Sequence, residues 1–328
     1  MLTFIVLVLA FALFLYMLLG GADFGAGILE IFTGSEGKHT ISEAIAPVWE
    51  ANHVWLVLVV VILFMGFPEI YTTISLNLHI PLLIVLIGII LRGTAFTFRH
   101  YDVREDVTHN YYTVTFRFAS VVAPLFLGII LGAMILGRIH PEASTFTARF
   151  INPWLNLFSI SIGIFSTALF AYLAAVYLIG EAGAETEQQR YIHYTRNSLI
   201  SAMMSGFLVF ICAEIDATNL AVRFIHSPLS LICMAAATLI ILWIWYAINH
   251  RQIMLLRVLV AAQIGMILVG WFAIQFPVII RLNQGESLTI YNTHAPAATL
   301  LQLGIALIVG IIIIFPAFFY LFKVFKFE

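Results

Sequence analysis

Three ionisable side chains stand inside long apolar runs, and they are where this sequence can do chemistry. Asp23 lies in GGADFGAG, Glu50 in APVWEANHVWL and Arg92 in GIILRGTAF. A carboxylate at mid-membrane costs about 2.5–3.5 kcal/mol on insertion scales, so it needs a partner or a role. An arginine at similar depth lowers that cost by pairing with either acid. Two readings follow. A carboxylate desolvated in this way can load and release protons near neutral pH, which makes a proton path from the cytoplasm. The same three residues also suit a structural ion pair closing the ends of three helices.

The stretch Trp49-Glu50-Ala51-Asn52-His53-Val54-Trp55 is the densest polar and aromatic segment in any apolar run. On a helix Glu50 and His53 share a face, so the pair suits proton transfer or a metal. Glu-x-x-His is also half of a di-iron site, which needs a second such motif and two further glutamates. The nearest spacing, Asp106-x-x-His109, falls in a polar loop and does not supply them. The structural alternative for His53 is a hydrogen-bonded core histidine. Trp49 and Trp55 suit interfacial anchoring or helix packing equally. His79, in LNLHIPLL, is the other histidine well inside an apolar run. A bis-histidine haem needs two buried histidines on facing helices, and nothing in the spacing requires His53 and His79 to face each other. No haem or metal is therefore expected on this chain. Gln263 and Gln302 read as interhelical hydrogen bonds. Pro277, Pro296 and Pro316 read as kinks or ends of spans. The glycines around Asp23 suggest a loosened helix end or close packing against another chain.

The elements that must hold these residues are membrane helices. Of 328 residues, 62% are hydrophobic and 10% charged, more apolar surface than a water-soluble fold can cover. The bilayer is thus one partner. The net charge of −2 gives no basic footprint for nucleic acid. Cys212 and Cys233 lie in apolar runs without zinc, haem-attachment or disulfide spacing. The start, MLTFIVLVLAFALFLYMLLGG, lacks a basic lead and a small-residue cleavage site, so it reads as a retained helix.

A span needs roughly 20 apolar residues to cross a core about 30 Å thick. That rule yields an all-α, polytopic chain of about nine transmembrane helices: Leu2–Gly20, Ala46–Phe67, Ile74–Phe98, Val114–Leu136, Leu155–Ile179, Leu199–Ala213, Leu229–Ile248, Met254–Gln275 and Leu300–Phe322. The connections, such as TGSEGKHT and GEAGAETEQQRY, are too short for a separate domain, so residues 1–328 form one membrane domain. Basic residues favour the cytoplasmic side. With the N-terminus outside and the C-terminus cytoplasmic, the inner side collects Lys38, Arg92, Arg99, Arg104, Arg117, Arg190, Arg196, Arg251, Arg257, Lys323 and Lys326. The outer side keeps Arg138, Arg149, Arg223 and Arg281.

Longer segments carry a resemblance. GGADFGAGILE followed by IAPVWEANHVWL resembles the N-terminal signature of subunit II of cytochrome bd-type quinol oxidases. LRGTAFTFRHYD resembles that family's arginine-bearing third span, NPWLNLFSISIGIF its fifth, and SLTIYNTHAPAATLLQLGIALIVGI its last. The resemblance implies a heterodimer in a prokaryotic cell membrane. A larger subunit I carries two b-type haems and one haem d, oxidises quinol and reduces oxygen to water with cytoplasmic protons. Subunit II typically binds no haem. A structural quinone and a small accessory subunit are compatible with the resemblance. Residue by residue, Glu50 matches the acid of the Trp-acid-x-Asn motif and is the proton-transfer residue it implies. Trp49 and Asn52 would position that acid, His53 would act as relay or support, and Asp23 and Arg92 match the family's other acid and its arginine. Many members carry Asp at the position of Glu50, Gln or Glu at His53, and a further Asp near Gly20 and Gly21. His294 and Pro296 also replace small polar residues. The alternative from another class is a proton-coupled secondary transporter, which should show paired broken helices in two related halves; no such pairing is visible.

Overall fold

The computed structural model describes residues 1–101, 107–216 and 218–326. Arg104, Asp106 and the Asp106-x-x-His109 spacing lie outside the described residues. Helix α1 (Leu2–Leu15) runs through a π-helical turn, Tyr16–Gly20, into α2 (Gly21–Ile45). A one-turn helix α3 (Trp49–Asn52) precedes α4 (Val54–Gly66) and the short α5 (Pro68–Asn77). Then come α6 (His79–Tyr101), α7 (Val107–Leu136), the short α8 (Phe146–Phe150), α9 (Leu157–Ile179) and α10 (Glu185–Ile215). The short α11 (Leu220–Ile225) leads to α12 (Pro228–Asn249) and α13 (Ile253–Gln275). A small antiparallel hairpin, β1 (Val278–Ile280) and β2 (Leu288–Thr289), precedes α14 (Ala297–Lys326).

Among the described residues nine helical stretches are long and apolar enough to cross a membrane. Most limits agree with the sequence reading to within a few residues. Two differ for a physical reason. The first span reaches Gly34 rather than Gly20, because the chain stays helical through the glycines by way of the π-helical turn Tyr16–Gly20. It stops where Gly34 adopts φ +61°, a left-handed conformation that a side chain resists. The sixth begins at Glu185 rather than Leu199, because its polar first half is helical and extends past the apolar part that hydropathy detects.

The centre of the bundle is α9, which packs on α2, α7, α10 and α13. Small residues set those approaches. A Cβ on Gly25 would run into the carbonyl of Phe170, and one on Gly163 into that of Leu125. Lipid is as apolar as a leucine side chain, so close backbone packing and interhelical hydrogen bonds hold such helices together. The glycines around Asp23 therefore pack against α9 and α7 of this same chain. Gln263 joins three helices: it accepts from Tyr172 Oη at 3.2 Å and donates to the carbonyl of Ala237 at 3.2 Å. Gln302, by contrast, is exposed. Pro277 follows the end of α13, Pro296 precedes α14, and Pro316 lies inside it.

Leucine at Gly25 has to displace the α9 backbone, and overpacking of a filled core costs typically 1–3 kcal/mol. G25L is expected to lower the thermal midpoint of the detergent-purified protein clearly. G183L, at a position where a Cβ meets no atom within 4 Å, is expected to leave it unchanged.

Candidate functional site

The site lies where α2, α3, α6 and α7 meet. The π-helical turn carries the chain into α2 and leaves Tyr16 buried, its ring 6.3 Å from that of His53. In the first turn of α2, Asp23 receives Arg92 of α6 as a fork. Nη1 of Arg92 donates to Oδ2 at 2.8 Å, and Nη2 donates to Oδ1 at 2.7 Å and to the Asp23 carbonyl at 2.9 Å. Arg92 is 1% exposed and Asp23 4%. The rings of Phe24 and Phe116 cover the guanidinium at 4.9 and 5.2 Å. Such two-pronged geometry is needed because a buried pair must recover a large desolvation cost. His53 Nε2 stands 3.8 Å from Asp23 Oδ2.

A second ionic group repeats the first two turns along. Glu30, with no exposed surface, accepts from Arg99 Nη1 at 2.7 and 2.9 Å and from Arg117 Nε of α7 at 3.2 Å. Arg99 also donates to Ser42 Oγ at 3.0 Å. Phe116 lies between the two arginines, 4.5 Å from Arg99 and 5.2 Å from Arg92. Among the described residues, two carboxylates thus face three guanidinium groups. The sequence reading missed Glu30, Arg99 as its partner, and Arg117. A signal was present: residues 23 and 30 are separated by seven, and so are 92 and 99. Seven residues are close to two helical turns, so two acids on one face meet two arginines on another.

The sequence-predicted residues divide into two sets. Asp23, Arg92 and His53 come together. Glu50 does not join them; it is exposed on α3. Arg92 therefore pairs with Asp23 rather than Glu50. The backbone stays right-handed helical through His53, whose amide donates to the Glu50 carbonyl at 3.3 Å, yet Glu50 is exposed while His53 is partly buried. Asn52 is buried and donates to the Leu19 carbonyl of the π turn at 3.4 Å. Trp49 packs on Phe96 at 5.8 Å and over Gly93. These two contacts fix the short helix that carries Glu50. His79 is exposed at the first position of α6, against Phe150, at the end of a span rather than well inside it. It lies about 20 Å along α6 from Arg92, so it cannot face His53 across a haem. Among the described residues no cluster of three or more His, Cys, Asp or Glu could hold a metal ion. Several buried atoms on the elements that carry the ion pairs have no protein hydrogen-bond partner among the described residues, including Tyr16 Oη, Thr33 Oγ1, Asn52 Oδ1 and His53 Nδ1.

Fold and site together define a multi-pass membrane protein with a largely buried charged array toward one end of its helical bundle. The family model "Cytochrome bd terminal oxidase subunit II" matches residues 1–325, and the chain belongs to that family. It is 30% identical over 156 residues to cytochrome bd ubiquinol oxidase subunit 2 of Bacillus subtilis (strain 168), covering 47% of this chain and 46% of that one. Against cytochrome bd-I ubiquinol oxidase subunit 2 of Escherichia coli (strain K12) it is 26% identical, covering 48% and 43%. The matched region thus spans less than half the length of these two relatives. A putative cytochrome bd menaquinol oxidase subunit II of Bacillus subtilis (strain 168) is 25% identical, covering 95% and 92%. The fold matches a chain of the bd oxidase from Geobacillus thermodenitrificans with a TM-score of 0.79 and 21% identity, over 99% of both chains. Nothing in these matches supports the transporter reading.

Removing one partner of a buried pair strands the other charge, which costs about 3–5 kcal/mol. R92L is expected to lower stability by that order, and D23L/R92L by less than R92L alone. Thermal unfolding of the four forms in a double-mutant cycle checks the sign of that difference.

Proposed function

We propose that this chain is the smaller subunit of a quinol:oxygen oxidoreductase in a prokaryotic cell membrane, and that its charged array conducts protons. Residues 1–328 act as one membrane domain, with the N-terminus outside and the C-terminus in the cytoplasm. The partner is a larger subunit I that holds two haems b and one haem d, where electrons from quinol reduce oxygen to water. No haem is assigned to this chain. A quinone held on the aromatic cluster of Phe11, Trp55, Phe315 and Phe318, and a small accessory subunit, are compatible with this arrangement; solvent extraction and gel analysis of the complex test both.

The observation that carries the proton role is the file of buried ionisable groups, Glu30 with Arg99 and Arg117, then Asp23 with Arg92, then His53 and Tyr16. From residue 30 to residue 23 the file rises about 10 Å along α2, from the inner boundary toward the membrane interior. Fixed ion pairs hold charge in place, while the unpartnered buried hydroxyl, amide and imidazole atoms beside them suit water-mediated proton transfer. Glu50, exposed on its anchored turn, is the carboxylate that exchanges protons at the edge of this file. Trp49 and Asn52 position it, Asp23 and Arg92 orient His53, and His53 relays. The structural alternative, ion pairs that only lock helices, rests on the quality of the forks.

Gentle purification through a tag on this chain is expected to bring down a larger subunit with b-type and far-red haem d bands. Haem d left in the membranes while the chain purifies alone and colourless would overturn the subunit assignment. Within an assembled complex of normal haem content, E50Q is expected to slow oxygen consumption by about 100-fold, the low end of general acid–base effects. Unchanged turnover would leave the proton role without its exposed carboxylate.

A further inference from the structure

The opposite end of the bundle carries a polar cavity that the proton file does not use. Its volume is about 280 Å³, and Gly137, Thr218, Asn219, Arg223, Arg281 and Ser287 line it. Three separate connections build it: the end of α7, the segment of α11 between α10 and α12, and the β1–β2 hairpin between α13 and α14. The hairpin is clipped onto α7. The Arg281 amide donates to the carbonyl of Met134 at 2.8 Å, and the Asn283 amide to that of Ile139 at 2.9 Å. Gly137, at φ +80°, lets the chain turn there beneath Arg281. Asn219 also takes a left-handed conformation, at φ 51°, and starts α11.

Two arginines brought to one cavity repel each other unless an anion joins them. Arg223 Nη2 donates to the Thr218 carbonyl at 3.2 Å, but its Nε and Nη1, and Nε of Arg281, are buried and meet no acceptor among the described residues. The carboxylates of this end do not neutralise them. Asp216 is engaged on both oxygens, by Arg138 Nη2 at 2.9 Å and by the Phe158 amide at 2.8 Å, while Glu214 and Glu286 are exposed. Burial, and then the Arg281 guanidinium, pushes the pKa of Arg223 down to about 10, which leaves it charged at neutral pH. The cavity sits just beyond the ends of five spans, the level at which headgroups would border a bundle of this length. Beside Arg223, Val222 and Ile225 present exposed apolar surface at the same level.

We propose that Arg223 and Arg281 form a binding site for a phosphate group at the outer rim of this subunit. Guanidinium forks match phosphate oxygens in geometry and charge. A phospholipid headgroup and free phosphate share that chemistry. The exposed apolar side chains beside the site fit the acyl chains of the lipid.

The purified complex, stripped of loosely held lipid, is titrated with phosphatidylglycerol, phosphatidylcholine or inorganic phosphate, and binding is read by native mass spectrometry and thermal midpoint. Wild type is expected to retain and be stabilised by phosphatidylglycerol, and R223Q/R281Q to need at least about tenfold more for the same response, the equivalent of losing one charge-assisted bond. An equal response to inorganic phosphate alone assigns the site to the soluble anion. R223K/R281K, which keeps both charges but not the forks and is the milder change for folding, is expected to fall between. Identical titrations in wild type and both variants, or no response to any of the three probes, would overturn the proposal.

Discussion

Two carboxylates on α2 and two guanidinium groups on α6, matched at the same seven-residue spacing, fix how the first and third spans lie against each other. A single ion pair between helices leaves them free to slide or rotate about it. Two pairs at equal spacing set both register and rotation, since a shift of one residue would leave four buried charges without partners. Phe116 of α7 lies between the arginines, so the third helix is keyed to the same array through its ring and through Arg117. Small residues along α2 then let α9 approach closely and complete the bundle.

That constraint explains the local irregularities. The π-helical turn at Tyr16–Gly20 adds a residue to the winding just before Asp23 and exposes the Leu19 carbonyl to Asn52. At His53 the imidazole faces Asp23, while Glu50 on the preceding turn stays outside. The irregular backbone at this depth is tolerated because it is covered by protein, where its polar groups find partners.

The helices themselves were readable from hydropathy because the bilayer leaves long apolar helices as the stable solution for such a chain. Their ends were readable only where polarity changes with the helix. At Glu185 the helix continues through polar residues, and at Gly20 it continues through glycines, so composition and structure part company there. Within the site, Asp23 and Arg92 could be identified because charge in an apolar run is costly. Glu30 and Arg99 fall at the margins of their runs and gain meaning only as a second pair at the same spacing. The outward position of Glu50 was not legible, because which side of the short helix Trp49–Asn52 faces the bundle is set by the packing of Trp49 on Phe96 and the Asn52 contact with the Leu19 carbonyl. The family resemblance reached the identity of the chain through GGADFGAG and WEANH, but not the geometry that joins those segments.

The central claim is that protons reach the oxygen-reducing site through this file of buried groups. Proton uptake during a single round of oxygen reduction, followed with a pH indicator in the purified complex, tests it at His53, whose side chain links the Asp23–Arg92 pair to Tyr16. H53F keeps the ring contacts with Tyr16 and Phe24 and removes the nitrogens. Slower uptake with unchanged haem content, and recovery in H53Q, is the result this account predicts. Uptake at the wild-type rate in H53F would show that protons enter by another route.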